Sequence, residues 1–218
     1  MRSYRSIVGL AVVLACLAGA ARLPEVLVRE VSLDTPLVLD ENVHYQLEHV
    51  NVAGITDCAA ITLAGRIASV EMRNCNFGRV WTGSEGKATG LDAAGAMVGR
   101  VRAIECSFFD CENQLLSLKE GSFGRVTFER CRFAASDSFM KQVQDANPWR
   151  DWPPTTEFYN IQRLELLDNE FVNTTVIIHP SVKQVILRGE MPGLQIVNPQ
   201  ATKVIRLESA DQPVAVAG

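Results

Sequence analysis

The chain has 218 residues, 47% hydrophobic and 21% charged, with a formal net charge of −4 at pH 7. That length holds one sizeable core and leaves little for a second domain. A mildly acidic chain whose linear sequence shows no basic stripe lacks the clustered Lys and Arg that phosphate contact requires, so nucleic acid is not expected as a partner.

Residues 1–20 are expected to be a secretory signal peptide. Arg2 and Arg5 give a basic start, and Ile7–Leu17 is an apolar run too short to span a bilayer as a helix. Ala18, Gly19, Ala20 and Ala21 make a cleavage region of small residues. Val13-Leu14-Ala15-Cys16 also resembles a bacterial lipoprotein signal, which implies a lipid anchor at Cys16 as an alternative fate. Removing residues 1–20 takes two arginines and no acid, so the charge becomes −6. No second long apolar stretch follows. Residues 21–218 are therefore expected to form one domain without a membrane span, secreted or extracytoplasmic.

Four stretches then repeat one phrase: Ser69–Phe77 (SVEMRNCNF), Arg100–Phe108 (RVRAIECSF), Arg125–Phe133 (RVTFERCRF) and Arg163–Phe171 (RLELLDNEF). The shared pattern is apolar, x, apolar, two variable residues, Cys or Asn, x, Phe. The closing phenylalanines lie 31, 25 and 38 residues apart. Self-similarity at such a period marks a solenoid. A short strand pattern precedes each phrase (AAITL, TGLDA, QLLSL, TEFYN), and TVIIH and LQIVN continue the series. Strand, tight turn, strand, bend and a third short strand make one coil of a parallel β-helix. Alternation points Val126, Phe128 and Phe133 inward and Thr127 and Arg132 outward. The bend is expected at the Cys or Asn, and Asn169 suits it because Asn accepts left-handed backbone geometry.

On this coil pattern the chain after the signal peptide resembles the right-handed parallel β-helix family of pectate lyases, polygalacturonases and phage tailspikes. The resemblance implies an all-β, right-handed parallel β-helix solenoid of about six or seven coils. A leucine-rich-repeat solenoid is the alternative, because Phe158, Ile161, Leu164, Leu166, Asn169 and Phe171 fit its strand segment. The second apolar strand of each coil and the uneven coil lengths weigh against it. The catalytic signatures sought in the β-helix family (Asp-Asp, Gly-His-Gly, Asp-Pro-His-Glu, Arg-x-Lys) are absent.

Cys75, Cys106 and Cys131 hold one equivalent position and should stack about 4.8 Å apart with parallel side chains, a poor geometry for a bridge. Cys58 and Cys111, each preceded by Asp, read as a second equivalent pair two coils apart. Buried structural thiols are expected, with neither metal nor cofactor, since no C-x-x-C occurs.

The outward rows read Glu71/Arg102/Thr127/Glu165 and Asn76/Ser107/Arg132/Glu170, mixed in sign as on a solvated face with cross-coil ion pairs. His44, His49 and His179 read as turn or cap residues. Asp92, Glu112 and Arg102 are the acids and base that could share one groove. No residue is assigned a catalytic role. The longest coil carries its excess around DANPWRDWPPTT, residues 145–156. There Trp149 and Trp152 flank Arg150 and Asp151, a set suited to stacking on sugar rings while bonding hydroxyls. Trp81, in the smaller bulge Trp81–Gly90, would complete that wall if both segments left one corner a single coil apart. Packing of these rings onto the solenoid is the competing expectation. Asn173-Thr174-Thr175 is a glycosylation sequon.

The expected function is a secreted or surface module, binding or structural rather than catalytic, for an extracellular polysaccharide or the cell envelope. A polysaccharide lyase or glycoside hydrolase, and a protein-binding leucine-rich-repeat module, are the alternatives.

Overall fold

A computed structural model describes residues 23–82, 86–148 and 153–197, and the backbone of 216–217. The expected signal peptide, Cys16, Trp149, Arg150, Asp151 and Trp152 lie outside the described residues.

The first strands are β1 (Glu25–Arg29), β2 (Ser32–Leu33), β3 (Leu37–Leu39), β4 (His44–Glu48) and β5 (Asn51–Thr56). Next come β6 (Ala59–Arg73), β7 (Asn76–Trp81), β8 (Thr89–Ile104), β9 (Ser107–Cys111) and β10 (Gln114–Leu118). β11 (Ser122–Glu129) and β12 (Arg132–Ala134) lead into the helix α1 (Asp137–Ala146). Beyond it lie β13 (Thr155–Phe158), β14 (Ile161–Leu167), β15 (Glu170–Val172) and β16 (Thr175–Ile178). β17 (Val185–Arg188), β18 (Ile196–Val197) and β19 (Val216–Ala217) follow.

Every strand pair among the described residues is parallel. The strands sort into three arms. The first arm stacks β3, the front of β6 and β8, β10, β13, β16 and β18. The second stacks β1, β4, the rear of β6 and β8, β11, β14 and β17. The third is a separate six-stranded sheet ordered β15-β12-β9-β7-β5-β2. The molecule is an all-β parallel solenoid with one helix. The third arm runs where a leucine-rich repeat would carry a helix or an extended convex segment.

The repeated phrase produces this because equal positions superpose. Phe77 pairs with Phe108, Phe108 with Phe133, and Phe133 with Phe171 across the third arm. Their ring centroids are 5.7, 5.2 and 5.2 Å apart in turn, and all four side chains are buried. Val70, Val101, Val126 and Leu164 make the matching inward row of the second arm.

The bend is not where the sequence puts it. Left-handed backbone falls one residue before the Cys or Asn, at Asn74, Glu105, Arg130 and Asp168, with φ between 50° and 54°. Each donates its N–H to the next coil, as Glu105 does to the Glu129 carbonyl at 2.9 Å. Asn169 serves instead as a cross-coil bracket. Its Oδ1 accepts from the Cys131 N–H at 2.8 Å, and its Nδ2 donates to the Phe128 carbonyl at 3.0 Å. Between the first and second arms the coils come closest. A Cβ added at Gly124 would lie 2.4 Å from the Gly99 carbonyl oxygen, so a side chain there has no room.

Cys75, Cys106 and Cys131 are buried and unbridged. Hydrogen bonding to Cys106 and burial push the Cys75 thiol up, and burial does the same for Cys111. Cys58 and Cys111 do not share a position. Cys111 pairs with Val80, which pairs with Ile55, whereas the Cys58 carbonyl accepts from the Thr89 N–H.

The excess of the longest coil begins earlier than expected, as α1. Ser136 caps it by accepting from the Phe139 N–H at 3.3 Å, and Asp137 opens its first turn. Phe139 and Val143, one turn apart, are its buried residues.

Candidate functional site

α1 lies against the flank of the solenoid and leaves a groove of about 750 Å³ beside it. One wall is the helix face of Asp137, Met140, Lys141 and Gln144; the other is the turn of Asn173 and Thr174. Pro153 also lines the groove, so the segment carrying Trp149 and Trp152 meets it directly. The turn is held to the helix start: Asn173, at φ 47°, donates its Nδ2 to the Ala135 carbonyl at 2.9 Å and to Asp137 Oδ1 at 2.8 Å. Those two bonds use the amide that the sequon would glycosylate. Amide, carboxylate and ammonium groups over Met140, Val143 and Phe171 are the mixed lining that hydroxyl-rich ligands require.

Trp81 reaches this region from below. Its ring sits 4.7 Å from that of Phe139, tilted by 48°, and is half-buried. The bulge after β7 and α1 after β12 do leave the same corner, but β9 lies between their strands, so they are two coils apart rather than one. Trp81 packs beneath the helix. Within the bulge, Glu112 Oε2 accepts from the Thr82 N–H at 2.8 Å and from the Thr82 hydroxyl.

Asp92, Glu112 and Arg102 do not converge. Arg102 pairs with Glu129 at 3.0 Å on the second arm, and Glu112 is bound to Thr82. Asp92 lies on the outward side of the first arm, in a row with Ser117 and Glu157. Burial, with a push from Glu120, raises the Asp92 carboxyl above its ordinary value. Glu157 is 8% exposed. Its Oε1 accepts from Thr155 at 2.8 Å and Gln114 at 3.1 Å, while its buried Oε2 has no hydrogen-bond partner among the described residues. Beside it the Tyr159 and His179 rings stack at 4.5 Å. His179 Nδ1 accepts from the Ser181 N–H at 3.2 Å, which leaves the neutral ring's proton on Nε2. His49 is a left-handed corner residue, and His44 Nδ1 meets Ser69 Oγ at 2.7 Å.

The outward row Glu71/Arg102/Thr127/Glu165 is in register as expected. Thr127 points outward yet is 4% exposed, because Glu165 folds over it and accepts its hydroxyl at 3.0 Å. Burial alone would raise the Glu165 carboxyl, but donation from Arg125, Arg163 and Thr127 outweighs it and holds the group below its ordinary value.

One row went unread along the sequence although the repeat displays it. The first residues of the four phrases, Ser69, Arg100, Arg125 and Arg163, stand side by side on neighbouring strands. Arg125 and Arg163 both grip Glu165, at 2.8 and 2.6 Å. Arg100 has no hydrogen-bond or ion-pair partner among the described residues.

Among the described residues, no group of three or more His, Cys, Asp or Glu is placed to hold a metal ion, and no helix is long and apolar enough to cross a membrane. Comparison with protein-family models, curated proteins and solved structures finds no match to the chain.

Proposed function

We propose that the protein is a secreted or extracytoplasmic binding module: a right-handed parallel β-helix of about six or seven coils, without catalytic activity, that holds an extracellular polysaccharide. The coil pattern's likeness to the pectate-lyase type of β-helix supports the handedness. The observation that carries the function is the groove between α1 and the Asn173 turn. It is large enough for a few sugar rings, polar at its rim and apolar at its floor. The segment containing Trp149, Arg150, Asp151 and Trp152 joins it at Pro153.

A glycan panel tests this, reading retention together with new reducing or unsaturated ends. Retention without new ends is the expected result. Trp149→Ala or Trp152→Ala should weaken binding by about 1–3 kcal/mol and leave the melting temperature nearly unchanged. A melting shift with binding intact would assign those rings to packing.

A lyase or hydrolase is the second reading, favoured by the Asp92–Ser117–Glu157 row with its unsatisfied buried carboxylate oxygen. New chain ends that vanish in Glu157→Gln would establish it.

A further inference from the structure

The second arm carries a row of donors that its own acids do not satisfy. Along its outward side run His44, Ser69, Arg100, Arg125 and Arg163, one per strand, in unbroken register. Adjacent members are one strand step apart, about 4.8 Å. The four glutamates on and beside this stretch are already committed. Glu71 pairs with Arg73, Glu105 with Arg130, Glu129 with Arg102 and Arg130, and Glu165 with Arg125 and Arg163.

That leaves Arg100 unpaired and exposed in the middle of the row. It also leaves unused donors on its neighbour. Arg163 spends its Nε on Glu165, and its two Nη groups have no partner among the described residues. Glu165 stays charged and holds both arginines in place, so their guanidinium planes are oriented before any ligand arrives. The positions just before the row are Ala68, Gly99 and Gly124, so no large side chain screens it on that side.

We propose that this row binds a linear glycan bearing a carboxylate or sulfate on successive sugar residues, laid along the solenoid axis with its anions on Arg100, Arg125 and Arg163. This rests on the polysaccharide-binding reading and adds a second site with a defined charge preference. Spacing selects the ligand class. A pyranose chain advances by about one ring per strand step, so one anion meets each guanidinium. An extended acidic peptide repeats on one side only every ~6.7 Å, and one DNA strand carries a charge every ~3.4 Å of duplex axis. Both fall out of register over three arginines.

The test measures equilibrium binding of the full chain to a sulfated glycan, a polyuronate, a neutral glucan and single-stranded DNA at two salt concentrations. Arg100→Gln removes the guanidinium that supports nothing in the fold. Arg132→Gln, on the third arm and paired with Glu170 at 2.9 Å, is the control. The expected result is binding of an anionic glycan that weakens with salt. Arg100→Gln should weaken it roughly ten- to hundredfold, with melting unchanged and Arg132→Gln without effect. Wild-type affinity in Arg100→Gln, an equal loss in Arg132→Gln, equal binding of the neutral glucan, or tighter binding of DNA would each overturn the assignment. Binding of neutral glycans alone would overturn this site and leave the groove standing, whereas binding of no glycan would overturn both.

Discussion

Phe133 sits at the centre of the aromatic stack, and removing its ring is the most direct test of the coil register. The side chain is fully buried. Its ring lies 5.2 Å from Phe108 and 5.2 Å from Phe171, nearly parallel to both, and 5.3 Å from Phe128 edge-on. Truncating a buried phenylalanine costs about 3–5 kcal/mol, and losing several ring contacts at once places Phe133→Ala near the upper end, at about 4–5 kcal/mol. Phe171, with one stacked partner at the end of the row, should cost less, about 3 kcal/mol. A solenoid coil is stabilised mainly by its neighbours, so the central cavity weakens two coil interfaces and the terminal one fewer. Urea unfolding followed by circular dichroism gives both midpoints. Since Phe133→Ala could consume most of a typical domain stability, Phe133→Leu, expected at about 1–2 kcal/mol, keeps the comparison measurable. A loss below about 1 kcal/mol for Phe133→Ala, or a larger loss at Phe171 than at Phe133, would refute the stacking argument.

Three further outcomes follow from the same geometry. In the folded protein a thiol reagent should modify Cys58, which is partly exposed, and spare Cys75, Cys106, Cys111 and Cys131; mass spectrometry of the labelled chain shows which are hit. Glu165 has a depressed folded value, so its stabilisation is present above the unfolded glutamate value of about 4.3 and is lost as pH falls through the folded one. Glu165→Gln should therefore cost about 1–3 kcal/mol at pH 7 and flatten the fall in melting temperature below about pH 4. Gly124→Ala should cost roughly 1–3 kcal/mol, because the new methyl meets the Gly99 carbonyl and the backbone must shift; a melting temperature equal to wild type would contradict the measured approach.

The architecture was legible because burial acts on each coil in the same way. Val126, Phe128 and Phe133 recur where an inward side chain must recur, and the phrase can be aligned by eye. The left-handed corner was misplaced by one residue because Arg130 and Glu105 occupy it in two coils, residue types that do not favour positive φ. There the cross-coil hydrogen bonds set the backbone and local preference yields. The helix α1 stayed hidden because its apolar residues amount to Phe139, Met140 and Val143, too few to show a helical face beside two tryptophans and two prolines in the next ten residues.

The binding surfaces were harder to see for a different reason. A solenoid's outward rows run across strands, so the residues of one row stand 25, 31 or 38 positions apart and never form a cluster in the sequence. Net charge is blind to them: a chain of −4 still lines up Arg100, Arg125 and Arg163 at one strand step. Reading the repeat by column rather than by row exposes them. The phrase's inward columns hold Val, Phe and Cys because the core leaves no other choice. Its first column is Ser, Arg, Arg, Arg, on the exposed face, where packing imposes no residue type and one arginine supports no partner in the fold. Constancy in a column that the core does not dictate needs a cause outside the core, and an anionic chain lying across the coils would supply one.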